Sequence, residues 1–311
     1  MNHKIKKYIR TGTVLCLAGL FFVFSGGKTD SRAWERILPV YGTEIPETKN
    51  PEAENWEAEN PEAEEPSLSL NAGSAVLMDA QTGRVLYGKE KDTVRPMAST
   101  TKIMTCILAL ENASLNDRVS VSAYAASQEP SKLYMTAGDS FTLNDLLYSL
   151  MLPSHNDTAV AIAEHISGST SAFAKKMNEK AKQLGCTSTH FVTPNGLDAG
   201  LNHYTTARDL AKIAQYAWKN ATFRKIVGTS AWRFSSRQGR SYSVATTNAL
   251  LRTMKGVTGM KTGFTNKAGY CFVGVVKAKS GKQYISVTLG AGSSTARWQD
   301  ARTLLAYAYK H

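Results

Sequence analysis

A serine and a lysine three residues apart, Ser99 and Lys102, stand where an apolar run with helical spacing begins. Pro96 and Ala98-Ser99 read as a helix entrance, and Ile103, Met104, Ile107, Leu108 and Leu110 continue at helical intervals. Side chains at i and i+3 share a helix face, so the hydroxyl and the amine can touch. In the first turn, Ser99 also sits beside unpaired backbone N–H groups and the positive end of the helix dipole. That is the setting of an activated serine nucleophile. The pair by itself is common: Ser25 and Lys28 repeat the spacing in an N-terminal segment that cannot be catalytic.

Acyl transfer through serine needs a second proton-handling group, an amide-binding group, a positive charge and an oxyanion hole. Ser154 and Asn156 lie on a loop led by Pro153 between two helical patterns, where a hydroxyl can relay a proton and a carboxamide can hold an amide. Lys261-Thr262-Gly263 follows Val257-Thr-Gly-Met260 and reads as the start of a strand. The lysine supplies charge, the threonine a hydroxyl, and the glycine room for a substrate backbone. Ser69-Leu-Asn71 borders the linker, Ser114-Leu-Asn116 falls just past the Ser99 helix, and Lys279-Ser280-Gly281 sits in a hairpin turn, so these are decoys. The order helix start, inter-helix loop, strand is the specific signal, and the trio is that of penicillin-binding proteins and class A β-lactamases, with Ser-His-Asn here in place of Ser-Asp-Asn.

The elements that must position these residues follow from the pattern. The folded part starts near Leu70, with a hairpin formed by 75–79 and 85–87 around Gln81-Thr-Gly-Arg84. Helices are expected at about 143–152, after Asp157, at about 170–184 and at 205–219. From about 230 the pattern turns to strands, with strong ones at 270–278 and 283–290, and 296–309 closes the chain as a helix. Helices in the middle and strands at both ends predict one domain whose terminal segments share a sheet.

The chain of 311 residues carries a net charge of +12, unevenly spread. Residues 44–65 hold nine Glu and one Lys, whereas the remainder after them holds 29 basic and 14 acidic residues. The basic part favours an anionic surface; no basic stripe interleaved with aromatics is present, which argues against nucleic acid. Lys4, Lys6, Lys7 and Arg10 precede an apolar run at 13–24, so residues 1–27 are expected to be an export signal or an N-terminal membrane anchor. Residues 28–66 are expected to form an extended, acidic Pro/Glu/Asn-rich linker, in which Asn-Pro-Glu-Ala-Glu at 50–54 returns at 60–64. Residues 67–311 are expected to form the catalytic domain. Cys106, Cys186 and Cys271 are widely spaced and read as buried hydrophobes, although one disulfide is compatible with the sequence.

Residues 70–310 resemble the D-alanyl-D-alanine carboxypeptidases among the low-molecular-mass penicillin-binding proteins. Besides the trio, the resemblance rests on Thr193-Pro-Asn-Gly-Leu197, Tyr204-Thr-Thr-Ala-Arg-Asp-Leu210, Gly259-Met-Lys-Thr-Gly-Phe-Thr265 and Ala268-Gly-Tyr270. It implies an α/β fold of the serine β-lactamase/DD-peptidase (transpeptidase-like) kind, a five-stranded antiparallel sheet flanked by helices plus a mostly helical subdomain. It further implies Ser99 as the acylated nucleophile, Lys102 as its base, and Ser154 as the proton relay to the leaving amine. Asn156 would hold the substrate amide, and Lys261, Thr262 and Gly263 would receive the terminal D-alanine. The N–H groups of Ser99 and Phe264 would form the oxyanion hole. Substrates would be peptidoglycan stem peptides ending in D-Ala-D-Ala, β-lactams would be covalent inhibitors, and no metal or cofactor would be needed. Lys102 acts as base only when neutral, and burial with Lys261 nearby should lower its pKa. Many relatives continue into a β-rich second domain with a membrane-binding tail, whereas this sequence stops at His311, so attachment is expected only from the N-terminus. The shorter form also resembles endopeptidases that cut crosslinks.

Three rival readings are weaker. His155, His190 and His203 invite a Ser-His-Asp triad, but no Gly-x-Ser-x-Gly elbow occurs and loop or surface histidines account for them. A class A β-lactamase needs a glutamate after the Ser-x-Asn motif, and 186–204 contains none. A non-catalytic penicillin sensor would not need the complete trio. Arg297 is expected on a charged face of the last helix.

Overall fold

The structure is a computed structural model and describes residues 67–197 and 202–310. The expected signal and linker at 1–66 lie outside the described residues. Among the described residues no helix is long and apolar enough to cross a membrane.

In chain order, β1 (Ser74–Asp79) and β2 (Val85–Lys89) form the predicted hairpin. A single 3-10 turn, Ala98–Thr101, runs into α1 (Lys102–Asn112). Then come β3 (Arg118–Ser120), α2 (Ala123–Ala126), β4 (Ser140–Thr142) and α3 (Leu143–Met151). Helices α4 (Asn156–Ser167), α5 (Thr170–Gln183), α6 (Ala207–Trp218) and α7 (Ala221–Val227) complete the middle of the chain. The last third holds β5 (Ala231–Ser235), β6 (Ser241–Ala245), α8 (Leu250–Thr253), β7 (Val257–Thr265), β8 (Gly269–Lys277), β9 (Gln283–Ala291) and α9 (Ser294–Lys310).

The main sheet has five strands in the order β2-β1-β9-β8-β7, every neighbouring pair antiparallel. The first and last strands of the described residues therefore meet in one sheet, as the pattern predicts. Alternate residues of a strand face opposite sides, and here both sides are buried. Val76, Met78, Val273, Val275, Ile285 and Val287 pack towards α1 and α6, whereas Leu77, Phe272, Val276 and Tyr284 pack towards Leu304 and Leu305 of α9. Burial on both faces turns β8 and β9 into the near-continuous apolar runs seen in the sequence.

Several boundaries differ from the sequence reading. Lys261-Thr262-Gly263 lies inside β7, which begins four residues earlier at Val257. The register shifts between Val257 and Gly259, and an irregularity of that kind bends a strand without ending it. Helix α7 was not expected; Asn220 caps it by accepting from Phe223 N, and Phe223, Ile226 and Val227 bury its inner face. Strands β5 and β6 pair only with each other, outside the main sheet. Cys106, Cys186 and Cys271 are buried, and none of them forms a disulfide among the described residues.

Candidate active site

The 3-10 turn exists because residue 98 cannot begin a regular helix: Ala98 has a positive φ of 48°. Thr100 and Thr101 turn their hydroxyls back to the Met97 and Ala98 carbonyls at 2.6 and 2.7 Å, which closes the turn. Ser99 is left half-buried at the surface of the turn, with Lys102 wholly buried beneath it. Lys102 Nζ lies 2.9 Å from Ser99 Oγ, 2.7 Å from Asn156 Oδ1 and 2.6 Å from the Asn195 carbonyl. An ammonium group has three donors, and this site gives it three acceptors. A neutral amine would donate to Asn156 and Asn195, both available as acceptors, and keep its lone pair for the Ser99 hydroxyl. Burial pushes the Lys102 pKa well below the ordinary lysine value, and Lys261 lowers it further against the opposing pull of Asp157.

Asn156 is the first residue of α4 rather than part of the preceding loop. Its Nδ2 donates to the carbonyls of Glu129 and Pro130 at 3.0 and 3.2 Å. Both amide protons and one Oδ1 lone pair are thus engaged within the protein, leaving the second lone pair for a ligand N–H. The neighbouring Asp157 is buried and accepts from Leu133 N, Met135 N and Thr158 N, which ties the segment around Glu129–Met135 to the start of α4. Ser154 occupies the tight turn before α4 with a φ of 75°, and its Oγ is buried without a hydrogen-bond partner.

Strand β7 is an edge of the sheet and lies against the Ser99 turn. A Cβ at Gly263 would sit 3.1 Å from the N atoms of Ser99 and Thr100, so the glycine permits this approach. Lys261 is buried, donates to the Thr262 carbonyl at 2.9 Å, and has its pKa lowered to about 7 by burial and by the Arg297 charge. Thr262 Oγ1 lies 2.6 Å from Thr247 Oγ1. Phe264 is 48% exposed and packs its ring on Tyr270, centroids 4.4 Å apart.

The segment 193–197 packs on the Ser99 turn and helix α1, and sequence reasoning assigned it no role beyond the family resemblance. Thr105 Oγ1 donates to the Pro194 carbonyl at 2.6 Å, and Gly196, with a φ of 87°, lies so close to the turn that a Cβ would meet the Ala98 carbonyl oxygen at 2.0 Å. This seat delivers the Asn195 carbonyl to Lys102. Two of the histidines expected in loops or at the surface, His155 and His203, do lie in loops but are buried. His203 Nδ1 accepts from Val192 N, which places its proton on Nε2, 2.8 Å from Thr101 Oγ1. His155 bonds Ser149 through Nδ1, and burial with Lys102 and Lys261 nearby pushes its pKa down to about 3. Both side chains bond hydroxyls that pack the site rather than Ser99. Arg297 is half-buried, its guanidinium over the Trp298 and Tyr270 rings, instead of lying on an open charged face.

The α/β architecture is that of the serine DD-peptidases: the crystal structure of the Streptomyces K15 DD-transpeptidase superposes with a TM-score of 0.74 at 37% identity, covering 78% of this chain and 99% of that one. Residues 59–293 match the family model described as D-alanyl-D-alanine carboxypeptidase, and the chain belongs to that family. The D-alanyl-D-alanine carboxypeptidase DacF of Bacillus subtilis is 36% identical over 247 residues, 78% of this chain and 63% of that protein. A D-alanyl-D-alanine endopeptidase of Escherichia coli is 32% identical over 208 residues, 65% of this chain and 66% of that protein. The chain thus spans just under two thirds of the length of these two relatives.

Proposed function

We propose that the protein is a serine-type D-Ala-D-Ala carboxypeptidase that removes the terminal D-alanine from peptidoglycan stem peptides outside the cytoplasm. The observation that carries this reading is the buried Lys102 amine 2.9 Å from Ser99 Oγ, with its pKa lowered. Neutral Lys102 takes the Ser99 proton as Oγ attacks the carbonyl carbon of the penultimate D-alanine. The carbonyl oxygen becomes an oxyanion held by the N–H groups of Ser99 and Phe264. Lys261 and Thr262 hold the terminal carboxylate beside Gly263. Ser154, whose Oγ has no other partner, passes the proton to the departing amine, the C–N bond breaks and D-alanine leaves. Water then cleaves the ester with Lys102 again as base. Asn156 orients Lys102 and offers its remaining Oδ1 lone pair to a substrate N–H.

β-Lactams would acylate Ser99 and leave slowly, since 186–204 supplies no glutamate to activate water. Residues 1–27 would serve for export or N-terminal anchoring. A second reading, cleavage of crosslinks as a DD-endopeptidase, is favoured by the endopeptidase-named relative. Incubating the full chain with a muropeptide pentapeptide and with crosslinked dimers, and identifying the products by mass spectrometry, tests both. Free D-alanine from the pentapeptide and none with Ser99→Ala is the expected result; cleavage of dimers alone would replace the first reading by the second.

A further inference from the structure

Thr247 belongs to none of the three motifs, yet its hydroxyl oxygen lies 2.6 Å from that of Thr262. It follows β6 and is exposed at the rim of the site. The same hydroxyl lies 3.2 Å from the Leu152 carbonyl, and Thr247 N donates to that carbonyl at 3.0 Å. We propose that Thr247 is a positioning residue that turns the Thr262 hydroxyl towards a carboxylate, and so favours substrates ending in a free carboxyl group. The inference rests on the proposed role of Lys261 and Thr262 in binding that carboxylate.

Each threonine hydroxyl has one proton and two lone pairs, a backbone carbonyl can only accept, and a carboxylate can only accept. Two arrangements satisfy the pair. In one, Thr262 donates to Thr247 and Thr247 donates to the Leu152 carbonyl, so Thr262 presents a lone pair to the site. In the other, Thr247 donates to Thr262, and Thr262 turns its proton outward. Only the second suits a carboxylate seated on Thr262. Reaching it costs little, because the Leu152 carbonyl keeps the Thr247 N–H when it gives up the hydroxyl. Donation from Thr247 also polarises the outward Thr262 O–H, and chained hydrogen bonds strengthen one another. A terminal carboxamide has both an acceptor oxygen and N–H donors, so it can use either arrangement and depends less on this one.

The test compares the full-length wild type with Thr247→Val and Thr247→Ser on two peptides, one ending in D-Ala-D-Ala and the same one ending in D-Ala-D-alaninamide. Loss of one neutral hydrogen bond in the bound state predicts a fall of about fivefold in kcat/KM for Thr247→Val on the free acid, chiefly through KM. The amide should change less than twofold, and Thr247→Ser should restore the wild-type ratio. Should the valine crowd Leu152 and impair folding, seen in the melting temperature, Thr247→Ala makes the same prediction without the added methyl. Equal losses on both peptides, or an unchanged free-acid rate, would overturn the assignment to Thr247 while leaving the proposed function standing. No D-alanine from the wild type would overturn the proposed function, and this inference with it.

Discussion

Replacing Gly196 by alanine should separate the backbone architecture of the site from its side chains. Two costs arise from one methyl group. Residue 196 has a φ of 87°, where a Cβ is strained by about 1 kcal/mol. The same Cβ would also stand 2.0 Å from the Ala98 carbonyl oxygen and 2.9 Å from Thr101 Oγ1. An ordinary carbon–oxygen contact is on the order of 3.3 Å, so one of the two backbones must yield by roughly 1 Å. Asn195 precedes Gly196, and its carbonyl bonds Lys102 at 2.6 Å, so that bond is broken or the Ser99 turn is displaced. A misplacement of about 1 Å is worth on the order of 10²-fold in rate. The assay is the rate of penicilloyl adduct formation on Ser99, followed by mass spectrometry, alongside thermal melting. Gly138→Ala and Gly168→Ala are the controls: their φ values are 90° and 73°, and a Cβ at either meets nothing within 4 Å. The controls should lose about 2–4 °C in Tm, the effect of roughly 1 kcal/mol in a domain of this size, and acylate at the wild-type rate. Gly196→Ala should lose more in both. If Gly196→Ala acylates as fast as the controls, the Asn195 carbonyl does not set the position of Lys102 and the account of this segment is wrong.

Removing the base is the blunter test: Lys102→Ala should slow acylation by about 10²–10⁴-fold, and wild-type rates in that variant would take the lysine out of the mechanism. Acylation should fall at low pH as Lys102 takes up a proton, and binding of a terminal carboxylate should weaken as pH rises through about 7, where Lys261 loses its charge; a rate profile flat across both limbs would contradict these roles. Lys261 also links to stability. Its folded pKa is lowered, so above about 7 the unfolded chain binds more protons than the native one, and stability should rise with pH from about 7 towards the ordinary lysine value. Buried Lys102 contributes a rise of the same sign, so Lys261→Met should reduce the slope in thermal melts without abolishing it, and an undiminished slope would assign the effect elsewhere.

The parts of the site that sequence reveals are those whose chemistry resides in residue type. Ser99 and Lys102 are legible because i and i+3 side chains meet on one turn, and Lys261-Thr262-Gly263 because few other stretches combine a charge, a hydroxyl and a bare backbone beside strong strand patterns. The low pKa of Lys102 was also foreseeable, since burial and a second amine act in the same direction. What sequence hides is the work of the main chain. The acceptors that hold Lys102 and Asn156 include the carbonyls of Asn195, Glu129 and Pro130, and a carbonyl is the same at every residue. Only indirect marks remain, such as the glycine at 196 that lets its segment approach the Ser99 turn. The buried histidines illustrate the converse error. His155 and His203 look like catalytic candidates or surface residues because imidazole is polar, but each trades its contact with water for hydroxyl or amide partners inside the fold. A buried polar side chain requires partners: Thr101 lies far from His203 in the sequence, and although Ser149 is close to His155 it sits on the preceding helix, so no local periodicity pairs either couple. The candidate site is therefore readable from the sequence as a list of chemically able groups, while their spacing depends on backbone atoms that only the folded chain brings into line.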